Sequence, residues 1–187
     1  MSAALSTVDG ASRQGQLEQG GEGRVGALAP VDAPDVHQVD VAEVARYAVE
    51  LLSATRRLHG IEVALELPED LVPARVSGRR MQQVMLLLLA HAADAANGQG
   101  VRLVVDPPDD FGDEGPRFQV MTLGASLSER ELQAVFLSPM LVGPVHRRLA
   151  RARELVESMG GTLGVTRGAA SGVVVTVELP APGLASW

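Results

Sequence analysis

Between Arg79 and Ala95 the chain reads RRMQQVMLLLLAHAADA, and this run constrains the fold more than any other segment. Wound as a helix, Met81, Val84, Met85, Leu88, Leu89 and Ala92 fall on one broad apolar face. Arg80, Gln83, Leu87, His91 and Asp94 recur at three- and four-residue steps and form a second stripe. A helix of this kind buries one face in a core and offers a titratable pair to a pocket wall. The strictly apolar stretch from Val84 to Ala90 is far short of the roughly 20 residues that span a bilayer. The N-terminus also lacks the basic start and apolar stretch of a signal peptide. We expect a soluble, cytoplasmic protein with no membrane contact.

The rest of the chain must supply what that helix packs against. With 187 residues, 46% of them hydrophobic, it can bury one core. Aromatic residues are only 3%, so that core is built from Leu, Val, Ala and Met. A net charge of -7 argues against nucleic acid and anionic membranes as partners. Cysteine is absent, which removes disulfides, thiolate catalysis and cysteine-based zinc sites. Lysine is absent too, so neither a P-loop lysine nor a Schiff-base lysine exists here.

Residues 1–36 have the composition of a disordered tail, rich in Gly, Gln, Ser and acidic residues without sustained periodicity. The GxGxxG match at Gly21, Gly23 and Gly26 lacks the preceding strand and following helix that a dinucleotide fingerprint requires. Asp40 caps a helix that runs to about His59-Gly60. IEVALEL at 61–67 alternates as a half-buried strand, and Ser77 caps the long helix, which stops at Asn97-Gly98. Strands follow at 101–106 and 117–123, separated by an acidic loop carrying Asp109, Asp110, Asp113 and Glu114. Ser128 and Glu131 form a capping box for a short helix through Phe136. A basic helix then runs from about His146 to Met159, and TLGVTR and GVVVTVEL pair antiparallel through GAAS. The order implies an α/β fold: a two-layer α/β sandwich, a mixed sheet covered on one face by helices. We place one domain at 37–182 and a short tail at 183–187.

The long helix resembles the first conserved box of the histidine-kinase-type ATPase domains, the superfamily shared with gyrase, Hsp90 and MutL. That box reads R-x-x-Q-V-L-x-N-L-L-x-N-A-x-D-A, and Arg80, Gln83, Val84, Leu88, Leu89, Ala92, Asp94 and Ala95 match it. The resemblance runs from about Val39 to Pro180, through RELVESMGGTLGVTRGAASGVVVTVELP at its exit. It implies the histidine kinase/Hsp90-like ATPase fold, with ATP and Mg2+ as the family's ligands.

The boxes that touch nucleotide in that family are where the sequence departs. Leu87 and His91 stand where the family has asparagines, the second of which coordinates Mg2+. A neutral imidazole suits softer metals, whereas Mg2+ prefers oxygen ligands. His91 is therefore either an altered ligand, or a histidine paired with Asp94 one turn later or partly solvated in a vestigial pocket. The D-x-G-x-G box reads Thr122-Leu123-Gly124-Ala125-Ser126, which keeps one glycine and replaces the adenine-binding aspartate by a threonine. LQAVFLSPM keeps Leu132, Phe136 and Pro139 of the phenylalanine box, with Phe136 expected in core or lid packing. Counting back from Gly160-Gly161 puts His146, Arg147 and Arg148 where the family's phosphate-binding glycines lie.

No other catalytic constellation assembles: His37, His59, His91 and His146 lack metal-like spacing, and no nucleophile elbow is present. We assign no catalytic residue and no metal site. The cofactor-binding candidates are His91 and Gly124; ATP with Mg2+ suits the fold, but its ligand positions are replaced. HRRLARAR distributes Arg147, Arg148, Arg151 and Arg153 around one helix, with Glu154 and Glu157 as local counter-charges. Arg147, Arg148 and Arg151 are the candidate partner surface, gripping phosphates or an acidic partner. A nucleic-acid patch fits the acidic chain and its lack of interleaved aromatics poorly, and the remaining alternative is a solvated helix face. These departures imply a protein-interaction module of two-component-type signalling with little or no ATP turnover. Its partner would be a kinase or response regulator. The alternative is a divergent kinase domain that binds ATP and phosphorylates a histidine supplied in trans.

Overall fold

The computed structural model describes residues 36–109, 114–137, 140, 142–168 and 172–181. The tail expected at 1–36, apart from Val36, lies outside them, with its GxGxxG match. So do Asp110, Asp113, Pro139, the centre of the GAAS turn and the 183–187 tail.

Strand β1 (Val36–Asp40) leads directly into helix α1 (Val41–Ala54). Asp40 is the hinge between them. Its Oδ1 accepts from the Ala42 backbone N–H at 3.0 Å and from the Val72 N–H at 3.1 Å. One carboxylate thus caps the helix and holds the chain entering strand β3 (Pro73–Ser77), which pairs antiparallel with β1. Between them lies the short strand β2 (Val63–Glu66). Ser77 then caps helix α2 (Gly78–Ala95), its Oγ accepting from the Arg80 N–H at 3.3 Å. Asn97 and Gly98, both at positive φ, turn the chain into strand β4 (Val101–Asp106).

Strand β5 (Arg117–Leu123) is followed by helix α3 (Glu129–Val135), whose capping box between Ser128 and Glu131 is formed. Helix α4 (Arg147–Glu157) closes through Gly160, at φ +80, into strand β6 (Thr162–Gly168), and β7 (Gly172–Glu178) returns beside it. A Cβ at Gly161 would lie 2.5 Å from the Glu178 carbonyl, so only glycine fits this crossing.

The five-stranded sheet has the order β2-β4-β5-β7-β6. β2 runs parallel to β4, and the other neighbours are antiparallel, which makes the sheet mixed. Its inward residues form cross-strand rows. Leu103, Val120 and Val175 are one row; Val105, Phe118, Val177 and Leu163 are another, and all are buried. Their chain neighbours point to the opposite face, so each strand alternates as a half-covered sheet requires. Helix α2 packs between α1 and α4 over the inward face. The six residues of its expected apolar face, Met81 to Ala92, are each no more than 1% exposed.

Two expectations change. α1 ends at Ala54 rather than near His59-Gly60, because the chain breaks into turns with Arg56 at φ 59. Leu58 is nevertheless buried, which is why the apolar periodicity outlasts the helix. The β1–β3 pair is additional to the strands the sequence pattern suggested.

Because Asp40 satisfies two backbone donors, Asp40→Ala should lower stability by about 1–2 kcal/mol. The check is the midpoint of urea unfolding, with an unchanged slope; a wild-type midpoint would show that this cap carries no stability.

Candidate functional site

The second stripe of α2 faces α4, and the two helices run antiparallel. At one end Arg80 Nη1 donates to the Ser158 carbonyl at 3.3 Å and to Ser158 Oγ at 3.2 Å. At the other, Asp94 forms an ion pair with Arg148. At the Asp94–Arg148 end, the C-terminal half of α2 and the entry to α4 border a cleft. Leu87, His91, Asp94 and Ala95 form its α2 wall. Pro144, Val145, Arg147, Arg148 and Arg151 form the other, and the volume is about 700 Å3.

Two histidines sit behind this opening. The rings of His91 and His146 meet edge to face with centroids 6.1 Å apart, and both residues are buried. His146 is the N-cap of α4 but makes no side-chain cap hydrogen bond. Its Nε2 lies 3.5 Å from Glu131 Oε1, and its Nδ1 is buried without a hydrogen-bond partner. Glu131 belongs to the α3 capping box. Hydrogen bonds from the Ser128 hydroxyl and backbone hold its carboxyl below the usual range, with His146 adding to the effect. One buried imidazole therefore touches three helices: α4 as its cap, α3 through Glu131 and α2 through His91.

Burial pushes the His91 imidazole down to about 4, and the neighbouring His146 and Arg148 act in the same direction. Asp94 and a backbone hydrogen bond to Val145 oppose the shift without cancelling it. His91 is consequently neutral at pH 7. The cleft carries its positive charge on arginines, with the Asp94 carboxylate already engaged by one of them.

The structure brings together His91, Arg147, Arg148 and Arg151, four positions singled out in the sequence. Gly124 does not line this cleft. It turns the chain after β5 at φ +70, and a Cβ there would clash with the Gln99 side chain. Thr122 is buried within β5, opposite Val101 and Val173. The expected pairing of His91 with Asp94 gives way to His91 against His146 and Asp94 against Arg148. A full cation competes better for a carboxylate than a buried neutral ring does.

Phe136 is not in the core. It is 49% exposed, and the Arg153 guanidinium lies 5.8 Å from its ring centre. Arg151 and Arg153 do reach the expected counter-charges, Glu154 at 2.9 Å and Glu157 at 3.6 Å. Pro144 and Val145 were missed as wall residues, because nothing in a Pro- and Gly-containing loop sequence marks which way it folds. Among the described residues, no three His, Asp or Glu side chains gather as a metal-binding group. No described helix is long and apolar enough to cross a membrane.

No family model matches the chain. It is 26% identical over 148 residues to the sensor histidine kinase ZraS of Klebsiella oxytoca, covering 78% of this chain and 31% of that protein. The chain thus spans less than a third of the length of this curated relative. Among solved structures, the nucleotide-free catalytic domain of the histidine kinase ThkA aligns with a TM-score of 0.67 at 20% identity. That alignment covers 78% of this chain and 97% of that domain. Full-length ShkA in complex with AMPPNP aligns with a TM-score of 0.67 at 26% identity, over 81% of this chain and 32% of that one. The ATP-binding domain of PrrB from Mycobacterium tuberculosis gives 0.64 at 20% identity, over 80% and 99%. The chain has the fold of histidine-kinase catalytic domains.

The buried neutral His91 has a consequence for stability. Its value is about 4 in the folded protein against an ordinary 6.5, so below pH 6.5 the unfolded chain binds the proton first. Stability should fall as pH drops from 6.5 towards 4 and level off below, by roughly 3 kcal/mol from this group. In His91→Leu that part of the decline should vanish, as read from urea midpoints at several pH values. An unchanged decline would show that His91 is not its source.

Proposed function

Starting from the histidine-kinase catalytic-domain fold, we propose that this chain is a regulatory module of two-component-type signalling. Its nucleotide pocket is remodelled into a docking surface for another signalling protein, a kinase or a response regulator, with little or no ATP turnover. The observation that carries this reading is the α2–α4 cleft itself. At the position the family uses for its Mg2+-binding asparagine it has His91, a buried imidazole that is neutral at pH 7. Mg2+ demands oxygen ligands in near-octahedral geometry. Asp94, the carboxylate among the residues lining the cleft, is held by Arg148.

The entry to α4 supports the same reading. Phosphate binding at a helix N-terminus needs free backbone N–H groups and a chain close enough for the ligand to reach them. Here the N-cap is the buried His146, followed by Arg147 and Arg148, whose side chains line the cleft. The residues present therefore do not fit the Mg2+-nucleotide complex, and no phosphoryl-transfer step is assigned to them. Arginine side chains bind carboxylates and phosphates alike in a bidentate fashion, and carboxylates on a protein surface are their proposed target here.

Titration calorimetry with ATP and ADP, first with Mg2+ and then with Mn2+, tests the nucleotide half of the proposal. The expected result is no binding tighter than about millimolar, near 4 kcal/mol of binding free energy. Micromolar binding that His91→Ala abolishes would overturn it and favour a divergent kinase domain acting on a histidine in trans. The docking half predicts that Arg147→Glu, Arg148→Glu and Arg151→Glu combined remove the signalling partners retained by the wild-type protein in a pull-down. These side chains are partly or well exposed, so the variant should fold; an unchanged set of partners would count against the arginine surface.

A further inference from the structure

The cleft does not end at Leu87. A second groove of about 420 Å3 lies between α1 and α2, with Leu51, Leu52, Leu86, Leu87 and Ala90 as its apolar lining. Leu87 and Arg148 line both hollows, so the two adjoin at these side chains. From this adjacency we infer that the paired hollows together dock an acidic amphipathic helix of a partner protein. The inference rests on the protein-docking reading above and adds to it the α1–α2 side and the chemistry of the occupant.

The groove floor is apolar and accessible. Leu51 is 37% exposed, and Leu86 and Leu87 are only partly buried against the core. Tyr47, one turn before Leu51 on the same side of α1, is exposed as well and extends the apolar stripe. Leucines left in water on two adjacent helices gain favourable free energy when a partner covers them.

Charge selects the partner's sign. Arg57 stands at the α1 end of the groove, Arg148 at the junction, and Arg147 and Arg151 along the cleft beyond it. Asp94 is the one carboxylate among the described residues lining either hollow, and Arg148 holds it. This basic track lies on a chain whose net charge is -7. No Phe, Tyr or Trp among the described residues lines either hollow, and Tyr47 beside them is a single ring, whereas single-stranded nucleic acid stacks successive bases on several. The valley between two packed helices takes apolar residues spaced one turn apart, the helix-in-groove mode. An acidic helix lying along it sets its leucine-type residues on the floor and its carboxylates against the arginines.

Two synthetic 18-residue helical peptides probe this surface. Both carry leucine at i, i+4, i+7 and i+11 on an alanine background; one has glutamates flanking that stripe and the other lysines. Titrated against the full chain by fluorescence anisotropy, the glutamate peptide should bind at least tenfold tighter than the lysine peptide. Leu51→Glu with Leu86→Glu should weaken it at least tenfold. Arg57→Glu, on an exposed residue remote from the core, should weaken it severalfold and flatten its salt dependence. Equal binding of both peptides, or indifference to the leucine and Arg57 changes, overturns the proposal. Self-association of the chain that Leu51→Glu abolishes would give the groove to a second copy and overturn it. Peptide binding that emerges only after deletion of residues 1–35 would give the groove to that segment and overturn it too. Nucleotide titration of the same samples separates the two readings. Micromolar ATP binding beside intact peptide binding damages only the pseudo-ATPase assignment, whereas absent peptide binding with no ATP binding damages only this one.

Discussion

Everything in this fold depends on α2 being held on two sides at once. Its apolar face, from Met81 to Ala92, seals the inward rows of the sheet, and its second stripe meets α4. The two sides differ in kind. The sheet side is continuous aliphatic packing, in which losing one large side chain costs about 2–5 kcal/mol. The α4 side combines the buried Leu149, Ala152 and Val156 with polar contacts at both ends and a cleft at the Asp94–Arg148 end. The continuous packing of the first side carries most of the stability, and the second side contributes the cleft.

The buried histidine pair lies on the second side. Two imidazoles in a dry site repel each other when charged, and burial penalises either charge. Together with Arg148 this keeps His91 neutral. His146 ties α2, α3 and α4 together through its ring contact with His91 and its approach to Glu131. The buried Nδ1 without a hydrogen-bond partner is the weak point of this arrangement.

The parts of the structure legible in the sequence are those set by local periodicity. The strands at 101–106 and 117–123 and the apolar face of α2 follow from alternation and helical spacing alone. The capping residues Asp40, Ser77 and Ser128 act on donors two or three residues away, so they could be read too. What was not legible is set by distant partners. β1 is five residues long and owes its existence to β3, whose paired residues lie more than thirty positions further on. Asp94 had a histidine three positions away, but it bonds to Arg148, 54 residues on, and Phe136 is drawn out of the core towards Arg153. The candidate site was half legible for the same reason. Its residue types stood out one by one, but that His91 and the three arginines share one cleft while Gly124 does not is a matter of tertiary packing.

Arg148 links these levels. Its pair with Asp94 is largely solvent-accessible, the two side chains being 36% and 54% exposed. Such pairs contribute about 0–1 kcal/mol, too little to hold α4 against α2 when compared with the packing of Leu149, Ala152 and Val156. The pair's effect is positional: it holds a guanidinium at the junction of two hollows, where Leu87 supplies the apolar floor. A partner carboxylate that takes the place of Asp94 exchanges one exposed pair for another and leaves Asp94 to water at little cost. Selectivity at such a junction then comes from the apolar residues the partner buries beside it. A groove that offered only arginines would bind any acidic chain weakly, and one that offered only leucines would not distinguish charge. Placing both on the two sides of one helix is what the proposed preference for partners that are acidic and amphipathic together rests on.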